Sequence, residues 1–246
     1  MSACSKHSVV MFSLKAKTLL VIAAHPDDEI YGCGCLISKI KEHGGKVFVL
    51  FITNGTTKEF SSRGVSTEKA REKEIKNVAK FLRYDDYKIA FPGNHYHLQL
   101  DKLGQKKLIN EIENGRRISL ESTKPDILAF HSFEDYNQDH AATAKAAFAA
   151  CRPTLKKDRF VPDLILSYEE PMDIWTQGRA EKLNFYVEIS KAGVNNKLNA
   201  LRLYKSQMKE KGHPRSLDVV KSLARVRGST IGKEFAEGFY CHKIKV

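Results

Sequence analysis

Short apolar runs alternate with amphipathic stretches along most of this chain, and this alternation limits the folds open to it. The apolar runs are rich in β-branched residues and nearly free of charge, as is typical of strands buried on both faces. Strands are expected at residues 18–24, 46–53, 86–91, 126–131 and 163–168. Helices are expected between them at residues 28–43, 67–83, 101–121 and 139–151. This order predicts an α/β, doubly wound fold with right-handed crossovers and a mostly parallel sheet.

The pattern changes after residue 185, where we expect a strand at 185–189, helices at 195–211 and 216–227, and a last strand at 238–244. Ser66 is the expected N-cap of the second helix, and Gly44 with Gly45 is expected to end the first. No linker rich in Gly, Ser or Pro divides the sequence, which predicts a single domain over residues 1–246 with a lead-in at 1–16. The polar loop 54–65 is expected to border a site.

Two polar segments follow two of the apolar runs directly. His-Pro-Asp-Asp-Glu occupies residues 25–29, after the first run, and Asn-Gln-Asp-His occupies residues 137–140, after the fourth. In a doubly wound sheet the first and fourth strands become neighbours, and ligands bind at their carboxyl ends. We therefore expect the two segments to converge.

The residue types in these segments suit a catalytic metal. His25, Asp28 and His140 offer two imidazoles and a carboxylate, which leaves a fourth position of a zinc ion open for water. Pro26 restricts the turn, so that Asp27 can face this water and take its proton while Asp28 binds the metal. The alternative is a surface turn in which an aspartate caps the following helix.

For several nearby residues the sequence allows two interpretations. Asp139 either caps its own helix or orients an imidazole. His95 and His97 either line the pocket or belong to a solvated loop. Cys33 and Cys35 are two residues apart and face away from each other on a helix, so they make a poor zinc pair. The glycines beside them are expected to let the first helix approach the sheet closely.

Composition indicates the cellular compartment and the kind of binding partner to expect. Five cysteines at irregular spacing indicate a reducing compartment, and no run approaches the roughly 20 apolar residues of a membrane span, so we expect a soluble cytoplasmic protein. The net charge is +12, and residues 190–246 hold 13 of the 41 Lys and Arg but four of the 29 Asp and Glu. This tail favours an anionic partner such as a phosphorylated substrate, although solvated helix faces explain most of the lysines. No nucleic-acid motif accompanies the charge, so no nucleic-acid partner is expected.

With the two segments in place, the chain resembles the PIG-L/LmbE family of metal-dependent de-N-acetylases, which act on N-acetylated sugars and sugar conjugates. Ala-His-Pro-Asp-Asp-Glu at 24–29 matches the first family signature, and Glu-Asp-Tyr-Asn-Gln-Asp-His at 134–140 resembles the second. The likeness runs from residue 18 to the C-terminus and includes residues 91–94, 150–153, 213–216 and 227–228. The resemblance implies a Rossmann-like, LmbE-like three-layer fold.

The resemblance also implies roles for the signature residues. His25, Asp28 and His140 would bind zinc, and Asp27 would be the general base. Asn137 stands where many members carry a histidine that assists the tetrahedral intermediate. An amide can donate a hydrogen bond to an oxyanion but cannot carry a proton, so protonation of the leaving amine falls to Asp27 or to another residue.

Other positions are candidates for substrate contact. They are Asn54, Arg71, Asn94, His213 and Arg215. Arg71 either reaches the substrate or pairs with Glu68 or Glu74 on its own helix, and the helical pairing is favoured. His213 and Arg215 precede a helix start, which suits contact with an anion, but an ordinary turn explains them as well.

These observations predict a zinc-dependent hydrolase that removes an acetyl group from an N-acetylated amino sugar, either free or linked to a lipid or nucleotide. Iron(II) accepts the same ligands and is the alternative metal. A metal-dependent phosphoesterase and a non-catalytic carbohydrate or nucleotide binding protein are the alternative functions. The resemblance is compatible with a homo-oligomer.

Overall fold

The computed structural model describes residues 13–54, 57–58, 65–155, 157–173, 175 and 182–245. The strands are β1 (Thr18–Ala23), β2 (Lys46–Thr53), β3 (Thr57–Lys58), β4 (Val65–Ser66), β5 (Asp86–Phe91), β6 (Ile127–His131), β7 (Leu164–Tyr168), β8 (Phe185–Glu188) and β9 (Ala236–Ile244). The α-helices are α1 (Asp28–Glu42), α2 (Glu68–Leu82), α3 (Gln105–Asn114), α4 (Leu120–Thr123), α5 (Gln138–Ala150), α6 (Lys191–Leu203) and α7 (Leu217–Thr230).

Seven strands form one sheet in the order β5-β2-β1-β6-β7-β9-β8. The first five are parallel, whereas β9 pairs antiparallel with both β7 and β8. Strand β1 lies between β2 and β6, so the first and fourth predicted strands are neighbours. The predicted α/β fold with a mostly parallel sheet is confirmed.

The two faces of the sheet build two separate cores. Side chains of β1 alternate between them: Leu19 and Val21 pack with α1, α2, α6 and α7, while Leu20 and Ile22 pack with α3, α4 and α5. All four are fully buried. Because a β-strand sends successive side chains to opposite faces, a strand that is apolar throughout requires helices on both sides, which gives three layers.

Helix α1 lies unusually close to the sheet at Gly32. A Cβ atom on this residue would lie 2.1 Å from Cδ2 of Tyr168, whose hydroxyl donates to the carbonyl of Ile22 at 3.0 Å. The close approach expected of the glycines is therefore present. Cys33 and Cys35 are fully buried, and burial raises the pKa of both thiols well above the usual value.

The prediction of one helix over residues 101–121 is wrong. The segment instead contains a 3-10 helix at Leu100–Leu103, then α3 and α4. Gly104 has a φ of 73°, in the left-handed region, so an α-helix cannot run through it. Helix α3 ends before Gly115, and Ser119 caps α4 by accepting from the Ser122 N–H at 3.2 Å.

Two helix starts also differ from prediction. Thr67 rather than Ser66 caps α2, since the Thr67 hydroxyl accepts from the Ala70 N–H at 3.2 Å, and Ser66 belongs to β4. Helix α6 begins at Lys191 after its cap Ser190 and ends at Leu203, so the predicted range 195–211 was wrong at both ends. Most of the loop 54–65 and residues 1–12 of the lead-in lie outside the described residues.

Candidate metal centre and catalytic residues

The two polar segments meet at the carboxyl edge of the sheet. Asp28 begins α1 directly after the turn that follows β1, and His140 lies in the first turn of α5, which follows β6. His25 and His140 are 115 residues apart in sequence, yet His25 Nδ1 lies 3.3 Å from His140 Nε2. Adjacency of β1 and β6 brings them together, as the topology requires.

Three donor atoms form a nearly equilateral triangle. Asp28 Oδ2 lies 3.4 Å from His25 Nδ1 and 3.4 Å from His140 Nε2, and the two nitrogens are 3.3 Å apart. A tetrahedral ion with ligands at about 2.0–2.1 Å has its ligand atoms about 3.3–3.4 Å apart. The triangle therefore fits one face of a tetrahedral metal site, with the fourth position left for another ligand.

A carboxylate behind each imidazole fixes its orientation. His25 Nε2 lies 2.8 Å from Asp139 Oδ2, and His140 Nδ1 lies 2.5 Å from Asp135 Oδ2. Each pair leaves the other ring nitrogen free to face the triangle, which is the usual arrangement behind metal-binding histidines. Sequence analysis left two roles for Asp139, and the structure shows the second, in which its carboxylate contacts the His25 imidazole. The helix cap is Asn137, whose Oδ1 accepts from the Asp139 N–H at 2.9 Å.

The charges around the triangle stabilise a cation. Burial alone would lower the pKa of His140, but Asp28 and Asp135 hold it well above the usual value. Burial alone would raise the pKa of Asp28, but His140 and His25 hold it well below the usual value. Positive charge between these side chains is thus favoured, and a divalent ion would supply it without protonating an imidazole.

Asp27 lies beside the triangle in a strained conformation. It precedes α1 with φ 105° and ψ −26°, a combination that residues other than glycine rarely adopt. Its N–H donates to Glu29 Oε2 at 3.0 Å, and its Oδ2 accepts from Arg215 Nη2 at 2.9 Å. Glu29 Oε1 in turn accepts from the hydroxyls of Tyr204 at 2.6 Å and Tyr84 at 3.1 Å.

Burial is the main cause of the pKa shifts of the Asp27 and Glu29 carboxyl groups. Burial raises the pKa of Asp27, and the neighbouring Arg215 opposes the rise. Burial raises the pKa of Glu29 to about 8, although the hydrogen bond from Tyr204 works in the other direction. Within the described part of the chain, the Glu29 carboxylate hydrogen-bonds to the Asp27 N–H and to the hydroxyls of Tyr84 and Tyr204, so it holds the backbone beside the proposed base.

A second histidine–carboxylate pair lies behind His140. Potential ligand atoms of Asp28, His131, His140 and Glu170 all lie within 4.8 Å of one another. The His131 ring stacks on His140 at 4.0 Å, its Nδ1 lies 3.3 Å from Glu170 Oε1, and its Nε2 accepts from the Ala24 N–H at 2.9 Å. Because the Ala24 N–H occupies the Nε2 lone pair, His131 is a poorer ligand than His25. The two-segment pattern gave no indication of His131, Glu170 or the role of Asp135.

His97 lies on the other side of His25. Its ring meets the His25 ring edge-on at 4.9 Å, and its buried Nδ1 has no hydrogen-bond partner among the described residues. Burial, together with the charges of His25 and Arg71, lowers the pKa of His97 to about 4. His97 therefore packs against His25 as an uncharged ring.

Arg71, one of the candidate substrate residues, is almost completely buried, with 1% of its surface exposed. Its Nη2 donates to the Pro26 carbonyl at 3.0 Å, whereas its Nε and Nη1 have no hydrogen-bond partner in the described part of the chain. The favoured pairing with Glu68 or Glu74 is wrong: no such contact occurs among the described residues, and Glu74 instead accepts from the N–H and hydroxyl of Ser206, each at 2.8 Å. Asn54 is also buried, and its Nδ2 likewise lacks a partner among described residues.

The remaining candidate substrate residues are Asn94, His213 and Arg215. Asn94 begins an exposed 3-10 helix, Asn94–Tyr96. His213 is exposed, and its Nδ1 accepts from the Arg215 N–H at 3.0 Å, so it shapes the turn before α7. Arg215 reaches Asp27 rather than open solvent. Their contact with a substrate stays a prediction.

Fold and site together define an α/β protein with a buried histidine–carboxylate centre at the carboxyl edge of its sheet. The model of the PIG-L family, GlcNAc-PI de-N-acetylase, matches residues 20–151, which is slightly more than half of the chain. This range includes both signatures. The chain belongs to the PIG-L/LmbE family of deacetylases, and the resemblance found in the sequence is confirmed.

Individual relatives agree with this assignment. The uncharacterized deacetylase YaiS of Escherichia coli is 28% identical over 160 residues, which cover 64% of this chain and 76% of that protein. An N,N'-diacetylchitobiose deacetylase from Pyrococcus horikoshii superimposes with a TM-score of 0.68 at 20% identity, over 92% of this chain and 84% of that one. GalB, a 4-carboxy-2-hydroxymuconate hydratase from Pseudomonas putida, gives 0.69 at 20% identity, over 94% and 98%.

At 20% identity, the similarity to the last two structures shows a shared fold and nothing more, and one of these structures, GalB, is a hydratase rather than a deacetylase. The fold therefore does not determine the chemistry, which has to be argued from the side chains of the site. Among the described residues, no helix is long and apolar enough to cross a membrane.

Proposed function

We propose that this protein is a metal-dependent amidohydrolase that removes the acetyl group from an N-acetylated amino sugar or sugar conjugate. The observation that supports it most is the triangle of His25 Nδ1, Asp28 Oδ2 and His140 Nε2 beside the Asp27 carboxylate. Family membership supplies the acetyl group as the target. The two nitrogen donors and one oxygen donor favour zinc, with iron(II) as the alternative.

In this proposal His25, Asp28 and His140 hold the metal, which when bound increases the acidity of water and polarises the acetyl carbonyl. Asp27 takes the proton from the attacking water, and the same carboxyl group later protonates the leaving amine. Asn137 donates from its amide nitrogen to the developing oxyanion. Its Oδ1 accepts from the Asp139 N–H at 2.9 Å, so the orientation of the amide is fixed by the start of α5.

The buried donors beside the site support a polar, hydroxyl-rich or anionic substrate. Arg71 Nε, Arg71 Nη1 and Asn54 Nδ2 are buried without hydrogen-bond partners among described residues. Leaving such donors unsatisfied costs about 1–3 kcal/mol each, so a ligand that satisfies them gains affinity. Sugar hydroxyls or a phosphate would do so. Together with the basic tail, this favours a phosphorylated or nucleotide-linked sugar, for which KM would rise with ionic strength.

The two alternative functions receive less support. A phosphoesterase usually needs two metals about 3.5–4 Å apart. The second group of potential ligands in the described residues is His25, His97 and Asp139. Asp139 already accepts from the N–H groups of Leu98 at 2.7 Å and Leu100 at 2.9 Å, besides His25. A non-catalytic binding protein would have no need of an aspartate held beside the triangle.

The test is acetate release by the zinc-loaded protein from N-acetylglucosamine and its phosphate and nucleotide conjugates. We expect Asp27→Ala to abolish release, and Asp101→Ala, an exposed aspartate outside the site, to leave it unchanged. Chelation should stop the reaction and added zinc should restore it. Acetate release that survives both chelation and Asp27→Ala would refute the proposal, as would a zinc-loaded protein inactive on every N-acetylated sugar tried.

A further inference from the structure

The segment before α7 places a guanidinium group on the proposed base. Arg215 Nη2 lies 2.9 Å from Asp27 Oδ2 and 3.8 Å from Asp28 Oδ1. The Arg215 side chain is 22% exposed, and that of Asp27 is 3% exposed. The pair is therefore largely shielded from water, where a charge-assisted hydrogen bond is stronger than on the surface.

Tyr31 of helix α1 holds the Arg215 side chain and backbone in place. The Arg215 guanidinium lies over the Tyr31 ring, 4.1 Å from its centroid, and the Tyr31 hydroxyl donates to the Arg215 carbonyl at 2.9 Å. Tyr31 follows Asp27 by four residues, and its N–H donates to the Asp27 carbonyl at 3.0 Å, so the first turn of α1 joins the tyrosine to the proposed base. The turn before α7 is closed by the Ser216 N–H, which donates to the His213 carbonyl at 2.8 Å. Side chain and backbone of Arg215 are thus fixed together.

Asp27 needs such a partner for two reasons. Its carboxylate is buried next to the carboxylate of Asp28, so without a counter-charge the two would repel each other in a poorly solvated site. Its backbone is also in a strained conformation, in which its N–H donates to the Glu29 carboxylate. The Arg215 contact engages Oδ2, and no described residue hydrogen-bonds to Oδ1. Oδ1 is then the oxygen available for a proton.

We propose that Arg215, held by Tyr31, is a positioning residue that fixes the Asp27 carboxylate for proton transfer, rather than a substrate-binding residue. This inference rests on the proposed function. A lysine could not replace it fully, because the planar guanidinium stacks on the ring while it donates, and an ammonium group does not. It also means that residues outside the matched range 20–151 complete the site.

The kinetic test compares Arg215→Ala and Arg215→Lys with Arg202→Ala, an exposed arginine on α6. We expect Arg215→Ala to lower kcat by about 100-fold with KM changed less than about threefold, because a misplaced base weakens the chemical step. Arg215→Lys should be intermediate, and Arg202→Ala unchanged. Zinc content should be equal in all of them. Guanidinium chloride at a low, non-denaturing concentration should restore part of the activity of Arg215→Ala, whereas sodium chloride at equal ionic strength should not.

A raised KM with kcat unchanged would assign Arg215 to the substrate and overturn the inference, and so would full activity of Arg215→Ala. A second measurement does not depend on the reaction. We expect Arg215→Ala to lower Tm less in an Asp27→Ala background than in the wild type, since the contact is already lost there. Equal Tm losses in both backgrounds would refute the contact. Failure of the wild type to release acetate, with unequal losses, would refute the proposed function and leave the contact supported.

Discussion

Asp135 allows a sharp test of the metal centre, because its two oxygens have different partners. Oδ2 lies 2.5 Å from His140 Nδ1, and Oδ1 accepts from the Asn137 N–H at 2.8 Å. In Asp135→Asn, the Asn137 N–H requires the amide oxygen in the Oδ1 position. The amide nitrogen then faces His140 Nδ1 and donates to it. This forces the ring proton onto Nε2, the nitrogen that faces Asp28.

The magnitude follows from the lost interaction. A hydrogen bond to a charged group is worth about 1.5–3 kcal/mol, and about 1.4 kcal/mol is a factor of ten in affinity. We therefore expect Asp135→Asn to weaken zinc binding by roughly 10- to 150-fold, which overlaps the range of about 10- to 100-fold known for partners of metal-binding histidines. Asp135→Ala should weaken it less, because water can then accept from Nδ1 and Nε2 stays free.

The assay is the zinc dissociation constant, measured by competition with a chromogenic chelator, with Asp101→Asn as the exposed control. The order of affinities, wild type above Asp135→Ala above Asp135→Asn, is the decisive result. If Asp135→Asn binds zinc as tightly as the wild type, or more tightly than Asp135→Ala, then His140 Nε2 does not bind the metal as proposed.

Three further predictions concern the buried groups around the site. The pKa of Glu29 is raised to about 8, so between pH 4.5 and 8 the folded state binds a proton that the unfolded state has released. The metal-free wild type should therefore lose stability as pH rises from about 4.5 to 8, and Glu29→Gln should lose less, which Tm measurements over this pH range will show. Gly32→Ala places a Cβ 2.1 Å from the Tyr168 ring and should cost about 1–3 kcal/mol in denaturant unfolding; an unchanged midpoint would contradict the packing described. Glu237→Ala removes the partner of buried Lys197, 2.8 Å away, and should cost about 3–5 kcal/mol by the same measurement, whereas a loss below about 1 kcal/mol would mean the pair is exposed to water.

Much of the sheet could be predicted because a strand is indicated by the residues of that strand alone. Strands β2 and β5 have the predicted bounds. For β2 the signal is an almost uninterrupted apolar run, which is typical of a buried parallel strand. Strand β5 carries Asp86 and Lys88 and lies half-buried at the edge of the sheet. The convergence of His25 and His140 followed from one topological rule, the adjacency of the first and fourth strands. Residues that follow neighbouring parallel strands meet whatever their separation along the chain.

The contacts that orient the site were not predictable in the same way. The partners of Asp27 are Glu29 and Arg215, and the latter comes from a turn 188 residues away. Which of several acidic residues lies behind an imidazole depends on helix packing to a fraction of an ångström, and Asp135 and Glu170 have no spacing that marks them. The helix break at Gly104 was not predicted, because a single glycine within a helical pattern does not by itself end a helix and its left-handed φ is known only from the structure.

Strand β9 inserts between β7 and β8, and this arrangement has a consequence for synthesis of the protein. Among the described strands, Phe185–Glu188 pairs with β9 alone, which comes about fifty residues later in the chain. While the ribosome is still making the intervening helices, the growing polypeptide has an open edge on β7 and no place for β8. We expect this interval to be the time at which the nascent chain most needs a chaperone, because an unpaired, apolar strand edge is a site of aggregation.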